Sequence, residues 1–169
     1  MHLTFDDDGK LSSRTPEMFT IQVPFVFDLP PGDLGSTDLA KAVDTTSRRI
    51  DTLACFDAHT VSRLGLDGPH IVPVLGKDEA ARAAEFPAAR LIEIDSWDSH
   101  AFEVAQSATE AMVGVRLHFD DGWQGRLNDA VDAGAKVIHL LADLHGRGSA
   151  GTFVSDLLKE AHIMLVEQG

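Results

Sequence analysis

From position 21 onward the chain alternates two hydrophobic periods. Short aliphatic and β-branched runs at 21–27, 52–56, 71–75, 90–94, 113–119 and 136–142 read as buried parallel strands. Between and after them, over 36–50, 77–86, 99–111, 122–133 and 152–168, apolar residues recur three and four apart, which predicts amphipathic helices. Ser36, Ser99 and Thr152 stand where N-caps belong, and Gly134 stands where a left-handed helix terminus favours glycine. Pro30-Pro31-Gly32 and Leu66-Asp67-Gly68-Pro69 supply turns between units. The alternation predicts six β/α units with right-handed crossovers, hence an α/β fold with a parallel sheet. Two architectures satisfy it: an open doubly wound sheet, complete at six strands, and a (β/α)8 barrel lacking its last two.

The segment 1–20 is polar, broken by Gly9 and Pro16, and reads as an N-terminal arm; 21–169 reads as one domain. A chain of 169 residues suits one well-filled core. No apolar run approaches the ~20 residues of a membrane span, and the first eight residues lack the basic start and apolar core of an export signal, so the expected home is cytoplasmic. A net charge of −13, with Arg48-Arg49 as the one adjacent basic pair, argues against nucleic acid as a partner. Cys55 is the single cysteine, which excludes an internal disulfide and any iron–sulfur cluster held by this chain alone.

Five runs lead into an acid: Asp28, Asp57, Asp95, Asp120 and Asp143. In either architecture those strand ends share one face. Histidines accompany three of them, in Asp57-Ala-His59, His118-Phe-Asp120 and Asp143-Leu-His145. Such a ring of carboxylates and imidazoles suits a divalent metal or a polar ligand, although Asp after a strand is also an ordinary turn-former and cap. Asp143 and His145 rank first, because Gly146 and Gly148 let the backbone come close to a ligand. His118 and His139 fall inside strands and read as hydrogen-bonded core histidines, whereas His70 reads as a loop residue. Arg116 lies in mid-strand, where a guanidinium must either pair with a carboxylate or face an anionic ligand. Cys55 reads as a small buried strand residue, not a nucleophile. Asp143-x-His145-x-x-Gly148 spells a cobalamin signature but lacks its surroundings, and no phosphate-binding loop or nucleophile elbow is present.

Four stations in the second half carry a family resemblance: Val113-Gly-Val-Arg116-Leu, Asp132-Ala-Gly-Ala-Lys136-Val-Ile138, Asp143-Leu-His145-Gly146-Arg-Gly148, and Lys159-Glu-Ala-His162-Ile-Met-Leu165-Val166-Glu-Gln-Gly169. In order and spacing they resemble the FMN-binding barrel of the glutamate synthase family. The resemblance covers 113–169 well and 21–49 faintly, through Pro24-Phe25 and Leu34-Gly35.

The resemblance implies a (β/α)8 TIM-barrel-type fold, here incomplete with six units, and an FMN-dependent oxidoreductase of glutamate biosynthesis. Its substrate would be a small amino or oxo acid. Arg116 would lie near the flavin's N1–O2 edge, Gly146 and Gly148 would line the cofactor, and Asp143 and His145 would handle protons. Arginine replaces the family's lysine, which keeps the charge and changes the geometry. The family's cysteine cluster has no counterpart, and its phosphate-gripping loops after strands seven and eight would fall beyond Gly169. The expectation is therefore a truncated domain, or one completed by another subunit or by homo-oligomerisation. Two other classes stay open: a metal-dependent hydrolase barrel using Asp57, His59, Asp95, His118 and Asp143, and a non-catalytic assembly subunit docking through the flank of its first and last strands.

Overall fold

The computed structural model describes residues 6–10, 18–28 and 36–167. The Pro30-Pro31-Gly32 turn, the Leu34-Gly35 station and most of the proposed arm lie outside the described residues. Six parallel strands form one sheet: β1 (Phe27–Asp28), β2 (Ala54–Asp57), β3 (Ile71–Leu75), β4 (Leu91–Asp95), β5 (Met112–His118) and β6 (Ile138–Leu141). They are crossed by α1 (Thr37–Ile50), α2 (Ala58–Leu64), a 3-10 helix (Lys77–Glu85), α3 (Ser99–Ala108) and α4 (Trp123–Asp132), and α5 (Val154–Glu167) follows β6. Among the described residues no helix is long and apolar enough to cross a membrane.

The strands lie side by side in chain order, whereas a doubly wound sheet reverses direction midway. The helices also pack on one face only. Phe56, Ile92, Ile94, Val115 and Leu117 from the strands form a single core with Val43, Val61, Phe102, Leu127 and Leu157 from the helices. Residues of the other parity, Leu53, Cys55, Val72 and Leu91, make a second cluster on the opposite, concave face, closed by Phe19 and Ile21.

The sheet curls into a half-barrel, and its stagger is regular. Asp28 is in register with Cys55, Cys55 with Val72, Val74 with Glu93, and Leu91 with Met112. Following that row from β1 to β5 leads from Asp28 to Met112, yet Asp28 touches Arg116, four residues further along after four strand steps. Cys55 likewise approaches Glu93 rather than Leu91, two residues further after two steps. One residue of stagger per strand is the shear of an eight-stranded parallel barrel, in which alternate strands contribute to each interior layer. Asp28 and Arg116 thus belong to an odd-strand layer, and Cys55, Glu93 and His139 to an even-strand layer.

Three local expectations are corrected. The run 21–27 yields strand only at Phe27–Asp28. Its earlier part crosses the lower end of the sheet, where Gln22 N–H donates to Asp51 O, Arg90 donates to Thr20 O, and the Arg90 guanidinium lies 5.5 Å from the centre of the Phe19 ring. Ile21 and Phe19 plug the concave side instead of pairing. Helix α2, absent from the sequence reading, begins at once after β2 because the Asp57 carboxylate caps it, accepting from Thr60 N–H at 2.8 Å. The cap of α3 is Asp98, accepting from Ala101 N–H, and not Ser99. Ser36 caps α1 as expected, and Gly134 at φ 87° takes the left-handed turn that ends α4.

Candidate functional site on the concave face

The polar centre of the concave face is built by five strands. Glu93 is 2% exposed in mid-β4, flanked by Ile92 and Ile94 on the opposite face. Burying an isolated carboxylate is costly, and here two partners satisfy it. Arg116 Nη1 donates to Glu93 Oε2 at 3.0 Å, and His139 Nδ1 lies 3.3 Å from Glu93 Oε1. Arg116 Nη2 donates to Asp28 Oδ2 at 2.5 Å, and Cys55 Sγ stands 3.9 Å from Glu93 Oε2. The cluster thus gathers Asp28, Cys55, Glu93, Arg116 and His139 from β1, β2, β4, β5 and the carboxyl-terminal β6.

The electrostatics follow from burial. Desolvation opposes the charge on Arg116, but the bond to Asp28 and the negative charges of Glu93 and Asp28 outweigh it, and its pKa lies above the ordinary value. Burial, and then the neighbouring charge of Glu93, pushes the Cys55 thiol up, so it stays protonated at neutral pH. A protonated, buried thiol is a poor nucleophile.

The strand-end residues are mostly engaged locally. Asp57 caps α2; Asp120 ion-pairs with Arg126; Asp95 and His118 are exposed and 4.0 Å apart. His59 is exposed on α2. The five residues of the hydrolase reading therefore do not gather into a metal-sized group among the described residues. His118, expected in the core, is exposed at the end of β5. His70, expected on a loop surface, is buried with its Nε2 2.8 Å from Asp44 Oδ1.

Asp143 and His145 sit beyond β6 in a loop that is largely self-contained. The Asp143 carboxylate accepts from the N–H groups of His145 and Arg147, both at 2.8 Å, and these bonds, that of Arg147 foremost, hold its pKa below the usual range. Gly146 takes φ 69°. Gly148 abuts the β5–α4 connection, where an added Cβ would stand 2.8 Å from Phe119 O and 2.9 Å from Leu157 Cδ1. The loop's glycines are thus required by its own turn and packing. Arg116 and this loop lie toward the same end of the sheet: Arg116 is in register with His139, four residues before Asp143.

Glu93 was missed by sequence reading, although it carries the same signal that singled out Arg116: one charged residue inside an apolar strand. A cavity of about 280 Å³, lined by Val61, Leu66, Pro73 and Phe86 among others, opens on the helix side, away from this cluster. Comparisons with protein families, with curated proteins and with solved structures found no match to the chain.

Proposed function

We propose that the half-barrel is part of a glutamate-synthase-like (β/α)8 barrel, an FMN-dependent oxidoreductase acting on a small amino or oxo acid. The observation that carries the reading is Arg116, a buried cation on the concave face of a parallel β/α sheet, at the station where the sequence resembles that family. The stagger of one residue per strand supports an eight-stranded ring. In such a ring β1 and β5 stand opposite each other, as Asp28 and Arg116 do, and two more β/α units fit between β6 and β1.

The residues present fit the flavin ring. A guanidinium has five N–H donors; the bonds to Asp28 and Glu93 fix its plane and leave others to meet an acceptor edge. The rim acids Asp57, Asp95, Asp120 and Asp143 repel a phosphate, and its grip is assigned to the two further units, where barrels commonly bind phosphate.

FMN, when bound, supplies the redox chemistry. Arg116, held in place by Asp28 and Glu93, would orient the ring edge through its remaining N–H donors. Asp143, held ionised by its own loop, shapes the turn, which leaves proton exchange with substrate to the exposed His145.

The test is FMN binding by the protein expressed from its natural locus, read by quenching of flavin fluorescence and by FMN released with acid. Stoichiometric FMN, with affinity falling at least tenfold in Arg116→Met, supports the reading. Protein that neither carries nor takes up FMN overturns it.

A further inference from the structure

We propose that Cys55, Glu93 and His139 form a binding site for a divalent transition metal, zinc by the chemistry of its donors. The proposal does not rest on the flavin reading. The three residues come from β2, β4 and β6, the even-strand layer of the concave face, and their ligand atoms all lie within 4.8 Å of one another. Among the described residues no other group of three such side chains meets that condition.

The spacing suits a metal. Tetrahedral zinc with Zn–S of about 2.3 Å and Zn–N and Zn–O of about 2.0–2.1 Å places its ligand atoms roughly 3.3–3.6 Å apart. His139 Nδ1 is 3.3 and 3.4 Å from the two Glu93 oxygens, and Cys55 Sγ is 3.9 Å from Oε2. The Glu93–His139 spacing already matches and the Cys55–Glu93 spacing is a few tenths of an ångström long, while all three ligand atoms lie within 4.8 Å of one another, so side-chain movement of about an ångström closes the set. Thiolate and imidazole together select zinc over magnesium or calcium, which prefer all-oxygen ligands.

The surroundings supply what a metal site requires. Arg116 donates to Glu93 Oε2 and is itself held by Asp28, so the carboxylate is oriented by a second layer of bonds. Charge also balances: Asp28 and Glu93 oppose one guanidinium, and a dication with Cys55 bound as thiolate brings the cluster to neutrality. Three protein ligands leave a fourth position open, the pattern of a metal that meets substrate or water. The competing arrangement is a plain hydrogen-bonded trio with no metal.

Titration of the chelator-treated chain with Co2+ separates the two. The site predicts one equivalent bound, an intense tetrahedral visible spectrum and a thiolate-to-cobalt band in the near ultraviolet, all abolished by one equivalent of Zn2+. Cys55→Ser removes the ultraviolet band, His139→Gln lowers affinity at least tenfold, and Asp57→Ala on the rim changes neither. The wild-type chain decides the matter even if a buried variant unfolds: a weak octahedral spectrum without the sulfur band, at excess Co2+, overturns the proposal. Neither readout involves flavin, so this result and the FMN result fail separately.

Discussion

Arg116 and Asp28 meet at 2.5 Å across the concave face although four strand steps separate β5 from β1. In a flat sheet that separation would be about 19 Å at ~4.8 Å per strand, so this ion pair and the curvature of the sheet require each other. Because Arg116 also carries the buried Glu93, Arg116→Met leaves that carboxylate without its cation. The expected loss is about 3–5 kcal/mol in urea unfolding. Asp28→Asn costs less, since that carboxylate is a third exposed. The double variant Arg116→Met, Glu93→Gln recovers part of the loss, because neither charge is then stranded. A single-variant loss below about 1 kcal/mol would show that the cluster does not hold the curl.

The turn after β6 gives a prediction with a definite sign. Asp143 accepts two backbone N–H bonds, and its pKa is lowered from the ordinary 3.8. A carboxylate with a depressed folded-state pKa lends stability that is fully present above the unfolded value and is lost as pH falls through the folded one. The order of this loop should therefore hold throughout the neutral range and fail only on the acid side of 3.8. Carboxyl NMR titration of Asp143 reads this directly, and Asp143→Ala should speed amide exchange at His145 and Arg147. Titration at or above the ordinary aspartate value would refute the assignment of this side chain to the turn.

Cys55 is 2% exposed, and burial followed by the charge of Glu93 raises its pKa. The metal-free native chain should leave this thiol unreacted with a disulfide reagent at mildly alkaline pH, while the urea-unfolded chain reacts completely with one equivalent. Reaction at the same rate in both states would show that the concave face is open to solvent at this depth.

Much of the fold was legible because the hydrophobic period of each unit is strong. The runs 71–75, 90–94 and 113–119 each lie within a residue or two of β3, β4 and β5. What was illegible depends on contacts between distant units. Nothing in 21–27 marks Ile21 as a plug rather than a strand residue; that follows only once Leu53, Val72 and Leu91 assemble beneath it. Helix α2 was hidden because its cap, Asp57, looks identical to a strand-end acid that faces a ligand. The cluster itself was half visible. Arg116 demanded a carboxylate, and Glu93 demanded a cation, but only the stagger of the sheet shows that they are partners, and that Asp28 and His139 join them.

The glycines separate packing from propensity. An alanine at 148 would push its Cβ to 2.8 Å from Phe119 O, 2.9 Å from Leu157 Cδ1 and 3.1 Å from Phe119 Cβ, and the first of these is a backbone atom that cannot yield cheaply. Gly148→Ala should therefore cost about 1–3 kcal/mol and loosen α5 from α4. Gly125 lies inside α4 with nothing within 4 Å of the added carbon. There the substitution removes only the conformational freedom of the unfolded chain, and Gly125→Ala should stabilise by about 0.5–1 kcal/mol. Paired urea curves for the two variants decide the matter. If Gly148→Ala proved neutral while Gly125→Ala stabilised as expected, the close approach of the 143–153 loop to the end of β5 would be wrong. The loop would then be free of the turn-and-packing constraint that explains its glycines here.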